Sequence, residues 1–306
     1  MPSYNFLKEA KLYIVYGGNQ YNIDASSISF SQTFTEDSYP VKTLHTQSNM
    51  FEGSVINRAN AANFSFSFPM LRESDFSIMF DLLVDYDASG ANIQSFDAYI
   101  STEQDVFRLQ TCVITNGSFL IEKLRPLSMT VSGEASKLSK VGEKSSYTIP
   151  GVVQSRSATR TYNQLLDLDI TLDGSNLDHI TQVAVELQNE ITWTPYATVN
   201  DAVNVTSASN SMFPSSYTLE KRILAGSIQQ YVTDESGSNV LTWDTNVSLR
   251  IKAGQTAGTF YGIDLNMPSC SFTNRVAPSG VFVQNYDWRM LSNPTDLGSI
   301  FTYTTL

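Results

Sequence analysis

The strongest constraint in this sequence is its period of two. Ile28, Phe30 and Phe34 stand on one parity of a run whose other parity is Ser27, Ser29, Ser31 and Thr33. Phe64, Phe66 and Phe68 alternate with Asn63, Ser65 and Ser67. Val183, Val185 and Leu187 repeat the pattern, as do Val247, Leu249 and Ile251, then Ile263, Leu265 and Met267. Successive side chains of an extended strand point to opposite faces, so each run predicts a strand with one apolar face and one wet face. Only 16% of the 306 residues are charged, and Ser, Thr and Asn fill the difference, which argues against helical bundles and coiled coils. With 42% hydrophobic residues there is ample material for a core, and the expected class is mainly β.

Local signals refine this expectation. Asn116-Gly117, between the apolar runs of 111–124, predicts a hairpin turn. One segment departs from the alternation. In 74–86, Phe76, Met79, Phe80 and Leu83 fall at i, i+3, i+4 and i+7, which predicts an amphipathic helix capped by Ser74 and lying on a sheet.

Displacing the chain by about 155 residues superposes its features. Ile14 and the Gly17-Gly18 turn fall on Ile170 and the Asp173-Gly174 turn, and Ile28 falls on Val183. Residues 64–71 fall on 222–232 and residues 127–138 on 281–291, while the helix has only a shortened counterpart near 240–243. The order of elements repeats although identity is negligible. The expected organisation is two tandem domains, 1–145 and 163–306, joined by a polar, Ser-rich linker at 146–162. Two long stretches, 36–62 and 190–216, lack regular pattern and occupy equivalent places. Their Tyr39, Met50, Phe51, Trp193, Tyr196, Met212 and Phe213 are the candidate contacts between subunits.

Net charge is −11 and is evenly spread: residues 1–150 hold 16 acids and 11 bases (−5), and residues 151–306 hold 14 and 8 (−6). Gripping nucleic acid needs a Lys/Arg stripe, and Lys137, Lys140 and Lys144 are too dispersed to form one. No apolar leader and no apolar window of membrane-spanning length is visible. Cys112 and Cys270 lie in apolar runs and read as buried free thiols.

The chemistry of an enzyme is hard to assemble from these residues. His45 and His179 are the two histidines, and Asp178-His179 are strand neighbours that point apart. Asp167, Asp169 and Asp173 miss the spacing of a calcium loop and read as the wet face of an edge strand. No phosphate loop, dinucleotide fingerprint, nucleophile elbow or zinc-helix motif is present. Glu186 and Glu190 are the carboxylate pair a hydrolase would need. The expectation is a non-enzymatic protein without metal or cofactor.

The order of a strand (27–34), a long loop (36–63), a returning strand (64–71), a helix (74–86) and closing strands (259–291) resembles the tail tube proteins of long-tailed bacteriophages. That resemblance implies β-sandwich domains that lend strands to a barrel spanning a ring, with rings stacked into a tube through which DNA passes. With two domains per chain, it implies a trimeric, pseudo-hexameric ring. The implied partners are further copies of the chain, the tape measure, baseplate and terminator proteins, and DNA that passes without specific binding. The implied location is the virion, after assembly in the host cytoplasm. Two other readings are a tube-end protein (terminator or baseplate initiator) and a β-sandwich module that stacks Trp193, Tyr196 and Trp243 on sugars.

Overall fold

A computed structural model describes residues 4–40, 52–73, 77–122, 125–194, 213–233, 246–291 and 297–305. In the first half, β1 (Lys11–Tyr16) and β2 (Asn19–Ile23) precede β3 (Ser27–Ser31), β4 (Phe34–Pro40), β5 (Glu52–Ala59) and β6 (Ala62–Pro69). Helix α1 (Ser77–Val84), β7 (Phe96–Ser101), β8 (Asp105–Glu122) and β9 (Ser128–Glu143) complete it. After β10 (Val152–Val153), the second half begins with β11 (Asp167–Leu172), β12 (Ser175–Asn176), β13 (Ile180–Trp193) and β14 (Tyr217–Tyr231). It ends with β15 (Val247–Ala257), β16 (Thr259–Ser279), β17 (Val281–Met290) and β18 (Phe301–Thr304). The protein is mainly β, with one α-helix among the described residues.

The two halves follow one strand-pairing pattern. In the first, the antiparallel path is β2-β1-β7-β8-β9-β6-β3. In the second it is β12-β11-β15-β16-β17-β14-β13. The registers agree as well. Ile28 faces Phe66, which faces Val131; Val183 faces Ile228, which faces Tyr286. All six are buried, so the same row of each half closes on the core. The opening hairpins share a turn type: Gly17 and Gly18 have φ of 56° and 79°, and Asp173 and Gly174 have 48° and 78°. Positive φ at both central residues is the twist-compatible hairpin geometry, which glycine and aspartate tolerate best.

The helix forms where the period changes, and Ile78, Met79, Phe80, Leu82, Leu83 and Val84 are all buried. Ser74 and Phe76 lie outside the described residues. Phe80 meets Phe119 of β8 and Phe301 of β18 edge-on, at ring separations of 6.1 and 4.9 Å, and Phe119 meets Phe301 at 5.3 Å. Burying such rings stabilises by roughly 1.5–3 kcal/mol each, with about 0.5–1.5 kcal/mol more for each edge-to-face pair. These rings belong to both halves, and one continuous core runs through the molecule.

Two expectations need correction. Asn116-Gly117 is not a turn, because β8 runs unbroken from Asp105 to Glu122 with an irregularity between Ile114 and Asn116. The glycine answers to the helix instead: a Cβ on Gly117 would sit 2.3 Å from a Leu83 methyl. The 36–62 stretch is not patternless. β4 and β5 form a separate two-stranded sheet from Phe34↔Ala59 to Pro40↔Glu52, so a hairpin arm rises from the main body. Residues of the 146–162 segment contact the first half: Val152 and Val153 run parallel to Asn19 and Gln20, and Asp24 pairs with Arg156 and Arg160. The shortened second helix expected near 240–243 lies outside the described residues.

Candidate assembly surface

One sheet passes from the first half into the second. Along one edge, β8 pairs first with β7 through Phe96↔Cys112 to Ser101↔Val106. Beyond an irregularity at Thr115, the same edge takes β13, from Gln188↔Asn116 to Gln182↔Glu122. The result is an arc of eight antiparallel strands, β3-β6-β9-β8-β13-β14-β17-β16, in which four strands of one half continue into the matching four of the other.

At this seam the core side is sealed. Val183 faces Ile121, Val185 faces Phe119 and Leu187 faces Gly117, and Val183, Val185, Leu187, Ile121 and Phe119 are each at most 1% exposed. Leu165, Leu166 and Leu168 border a cleft of about 320 Å3 beside the seam, together with Ile121, Ile180, Thr181 and Gln182. Next to it, the Leu127 N–H donates to the Asn163 carbonyl at 2.8 Å, and the Asn163 N–H donates to the Met70 carbonyl at 2.9 Å. The segment before β11 thereby covers Leu127 and Met70, which are 2% and 0% exposed.

A second tie crosses at the helix. The Arg222 guanidinium, on β14, donates to the carbonyls of Leu83 and Val84 and to Asn189 Oδ1, each at 2.8 Å. A cation on the last carbonyls of a helix satisfies orphan acceptors and opposes the negative end of its dipole. Burial pushes the Arg222 pKa down, opposed by Tyr86, whose ring lies 4.7 Å from the guanidinium.

The opposite face of the arc is wet. One register row reads Ser27, Ser67, Thr130, Ser118, Glu186, Ala225, Arg289 across seven strands. Charges on this face pair with each other, as Lys221 with Glu190 at 3.3 Å and Arg275 with Asp287 at 2.5 Å. Glu186 accepts from Asn116 Nδ2 and Gln188 Nε2, so both carboxylates singled out as a hydrolase pair are engaged on the sheet face.

The candidate contact residues fall in different settings. Trp193 packs edge-on against Tyr217 and donates from Nε1 to Glu134 Oε2 at 2.7 Å. Phe213 lies edge-on to Phe34 at 6.4 Å, under the Lys137 ammonium at 4.7 Å. These two aromatics of the second half thus anchor on the first half of their own chain. Tyr39 occupies β4, opposite Gly53. Met50, Phe51, Tyr196 and Met212 lie outside the described residues, as do His45 and Trp243. His179 adopts φ 57° and accepts the Tyr231 N–H on its carbonyl. Asp167 and Asp169 are exposed while Ile170 and Leu172 are buried, the alternation of a wet strand face. Cys112 and Cys270 are buried free thiols; burial pushes Cys270 up to about 12 and Cys112 well above its usual range. Sequence reasoning missed Arg222 and the seam residues of β8, because a single arginine and an unbroken strand leave no periodic mark.

The arc has two unpartnered borders. Among the described residues, β3 pairs only with β6, and residues 271–279 of β16 pair only with β17. Such borders are templates for further strand pairing. The described residues thus form a mainly antiparallel β protein whose main sheet is continuous between halves and carries no strand partner at either border among them. More specifically, residues 2–302 match the family model of the Bacteriophage Baseplate Tube Protein Family, and the chain belongs to that family. A search of curated proteins returns no match. Membership places the protein among the structural components of a phage tail and baseplate.

Proposed function

We propose that this chain is a non-catalytic ring subunit of a phage tube, and that each half is one of two tandem tube domains. Three copies close a pseudo-sixfold ring, rings stack, and the channel conducts DNA. The observation that carries this reading is the continuity of the sheet across the β8–β13 seam. One chain already joins two equivalent four-strand units, and a ring repeats that join.

The dimensions suit the role. Three eight-strand arcs give 24 strands; at about 4.8 Å between strands and a tilt of about 40°, the barrel would be roughly 50 Å across. Its lining would be the wet face, rich in serine and threonine, with its lysine and arginine partly neutralised by neighbouring carboxylates. Duplex DNA binds by giving up counterions to clustered cations, so a lining of this kind lets it slide. Neighbouring rings would meet through the β4–β5 arm and its counterpart at the end of β13 and β14. Tape measure, baseplate and terminator proteins would meet the ring's open ends, within a virion assembled in the host cytoplasm.

Electron microscopy of the purified protein, alone and with a tail initiation complex, tests the reading. Rings or tubes with a central channel support it, and a protein that stays monomeric at high concentration in both settings contradicts it. The family's baseplate description favours a narrower variant, in which the chain forms the first rings of the tube instead of its length. Gel densitometry of virions separates the two, since the tube body needs many more copies than its base.

A further inference from the structure

The seam between the halves has an unfilled twin. The pairing pattern makes β3 the counterpart of β13, and β16 the counterpart of β8. In the first half β8 is flanked by β9 on one side, and by β7 and then β13 on the other. In the second half β16 is flanked by β17 and β18 on one side and by β15 on the other, the latter ending at Cys270. Among the described residues, nothing takes the position beside residues 271–279 that β13 would occupy. From this internal repeat, and resting on the ring reading above, we infer that β3 of a second copy fills it, antiparallel and in the register of the β8–β13 seam.

The register follows row by row. Ile28 is equivalent to Val183 and Phe30 to Val185, because each pair sits on matching rows of its half. Gly117 faces Val131, and Asn274 faces Tyr286, the counterpart of Val131, so Asn274 is equivalent to Gly117. Val276 then takes the place of Phe119. Since Val185 faces Phe119 within the chain, Phe30 of one copy faces Val276 of the next, and Ser31 faces Arg275. Phe119 and Val185 are each 1% exposed, whereas Val276 is 56% exposed and Phe30 is half-buried. The apolar side of the unfilled site is therefore open where its twin is closed. Pro278 falls opposite Ile28. Phe282, facing Pro278, turns its carbonyl away to the Val232 N–H, so Pro278 presents its backbone to the open border without an N–H to give. The ladder weakens there, which confines pairing to the rows from Asn274 to Ala277.

An independent pair of surfaces points to the same partner. The Val232 N–H donates to the Phe282 carbonyl at 2.9 Å, the counterpart of the Met70 N–H donating to Leu127 at 2.8 Å. Leu127 is covered by Asn163, in the segment leading into β11. The segment leading into β1 is its counterpart, and there Phe6 and Leu7 are 52% and 65% exposed. Val281 and Phe282 are 54% and 58% exposed. Leu127 is closed at 2% while its counterpart Phe282 is bare, and one second copy placed by the β3–β16 register would bring its exposed Phe6 and Leu7 against that site.

Cross-linking decides the matter. Ser31→Cys and Arg275→Cys are introduced together in the full chain, with buried Cys112 and Cys270 retained, and the assembled protein is treated with a short thiol cross-linker. A denaturing gel should show covalent dimers and trimers from the double variant and monomer from either single variant. A pair displaced along the strand, Ser27→Cys with Arg275→Cys, should cross-link at least tenfold less. Assemblies visible by microscopy whose Ser31→Cys, Arg275→Cys chains stay uncross-linked, or cross-link no better than the displaced pair, overturn this seam while leaving the ring reading standing. Absence of any assembly from the unmodified protein overturns both.

Discussion

Phe64 lies across Gly133 of the neighbouring strand, so close that a Cβ on the glycine would stand 2.5 Å from the ring. In the second half the same row is reversed: Gly226 faces Trp288, and a Cβ there would stand 2.6 Å from the indole. The aromatic has moved to the partner strand and the glycine has moved with it. The volume of the row is kept although neither residue is. Added Cβ atoms would also come within 2.1 Å of the carbonyls of Val113 and Ala184. Gly133→Ala and Gly226→Ala should each destabilise by about 2 kcal/mol or more, as overpacking of a tight core does. Gly174→Ala, at φ 78° in open space, should cost only about 1 kcal/mol. Denaturant unfolding of the three variants checks the ranking.

Arg222→Ala would leave the carbonyls of Leu83 and Val84 and the Asn189 amide oxygen without their buried donor. Removing one side of a buried charged network costs about 3 kcal/mol. Urea unfolding should show a lower midpoint, and hydrogen exchange should show α1 losing protection before the strands of β9.

Asp81 on α1 is pushed up to about 6 by burial and by the nearby Asp85 carboxylate, against an opposing hydrogen bond from Ser77. Between pH 4 and 6 the folded chain therefore holds more protons at this site than the unfolded chain. Its contribution to stability falls as pH rises through that window, and the deficit is complete above it. Asp81→Asn should be more stable than the parent at pH 7 by on the order of 1 kcal/mol after allowance for solvent screening, seen as a higher melting temperature, with no difference below about pH 4.

The β4–β5 arm stands on its own sheet, so it can be shortened without disturbing the main one. Joining Glu36 to Ile56, which face each other, through an Asn-Gly turn should leave far-ultraviolet circular dichroism and melting nearly unchanged. Sedimentation should then show single rings in place of stacked ones. Stacks as long as those of the parent would place the inter-ring contact elsewhere.

The alternating runs made the strands legible, because a half-buried sheet prints its two faces directly on the sequence. The repeated order of elements left a mark of the same kind: Ile28 follows Gly18 by ten residues and Val183 follows Gly174 by nine. Asn116-Gly117 misled, because a glycine that admits the Leu83 side chain is indistinguishable in sequence from one that turns the chain. The docking of 152–153 on β2 was hidden by exposure, since two exposed valines on a border carry no alternation. The seam itself was invisible because pairing between β8 and β13 depends on where two distant strands end, not on what they contain. Of the candidate contacts, Trp193 and Phe213 looked like exposed loop aromatics; the polar partners that hold them, Glu134 and Lys137, come from the other half.

The central claim is that a junction made once inside the chain is made again between chains. Cryo-electron microscopy of the assembled particle tests it most directly. The account predicts a threefold ring with near-sixfold density and a continuous 24-stranded inner barrel, in which β16 of each copy lies antiparallel to β3 of the next. A ring whose copies meet through other surfaces, with both borders still bare or sealed within one chain, would contradict it.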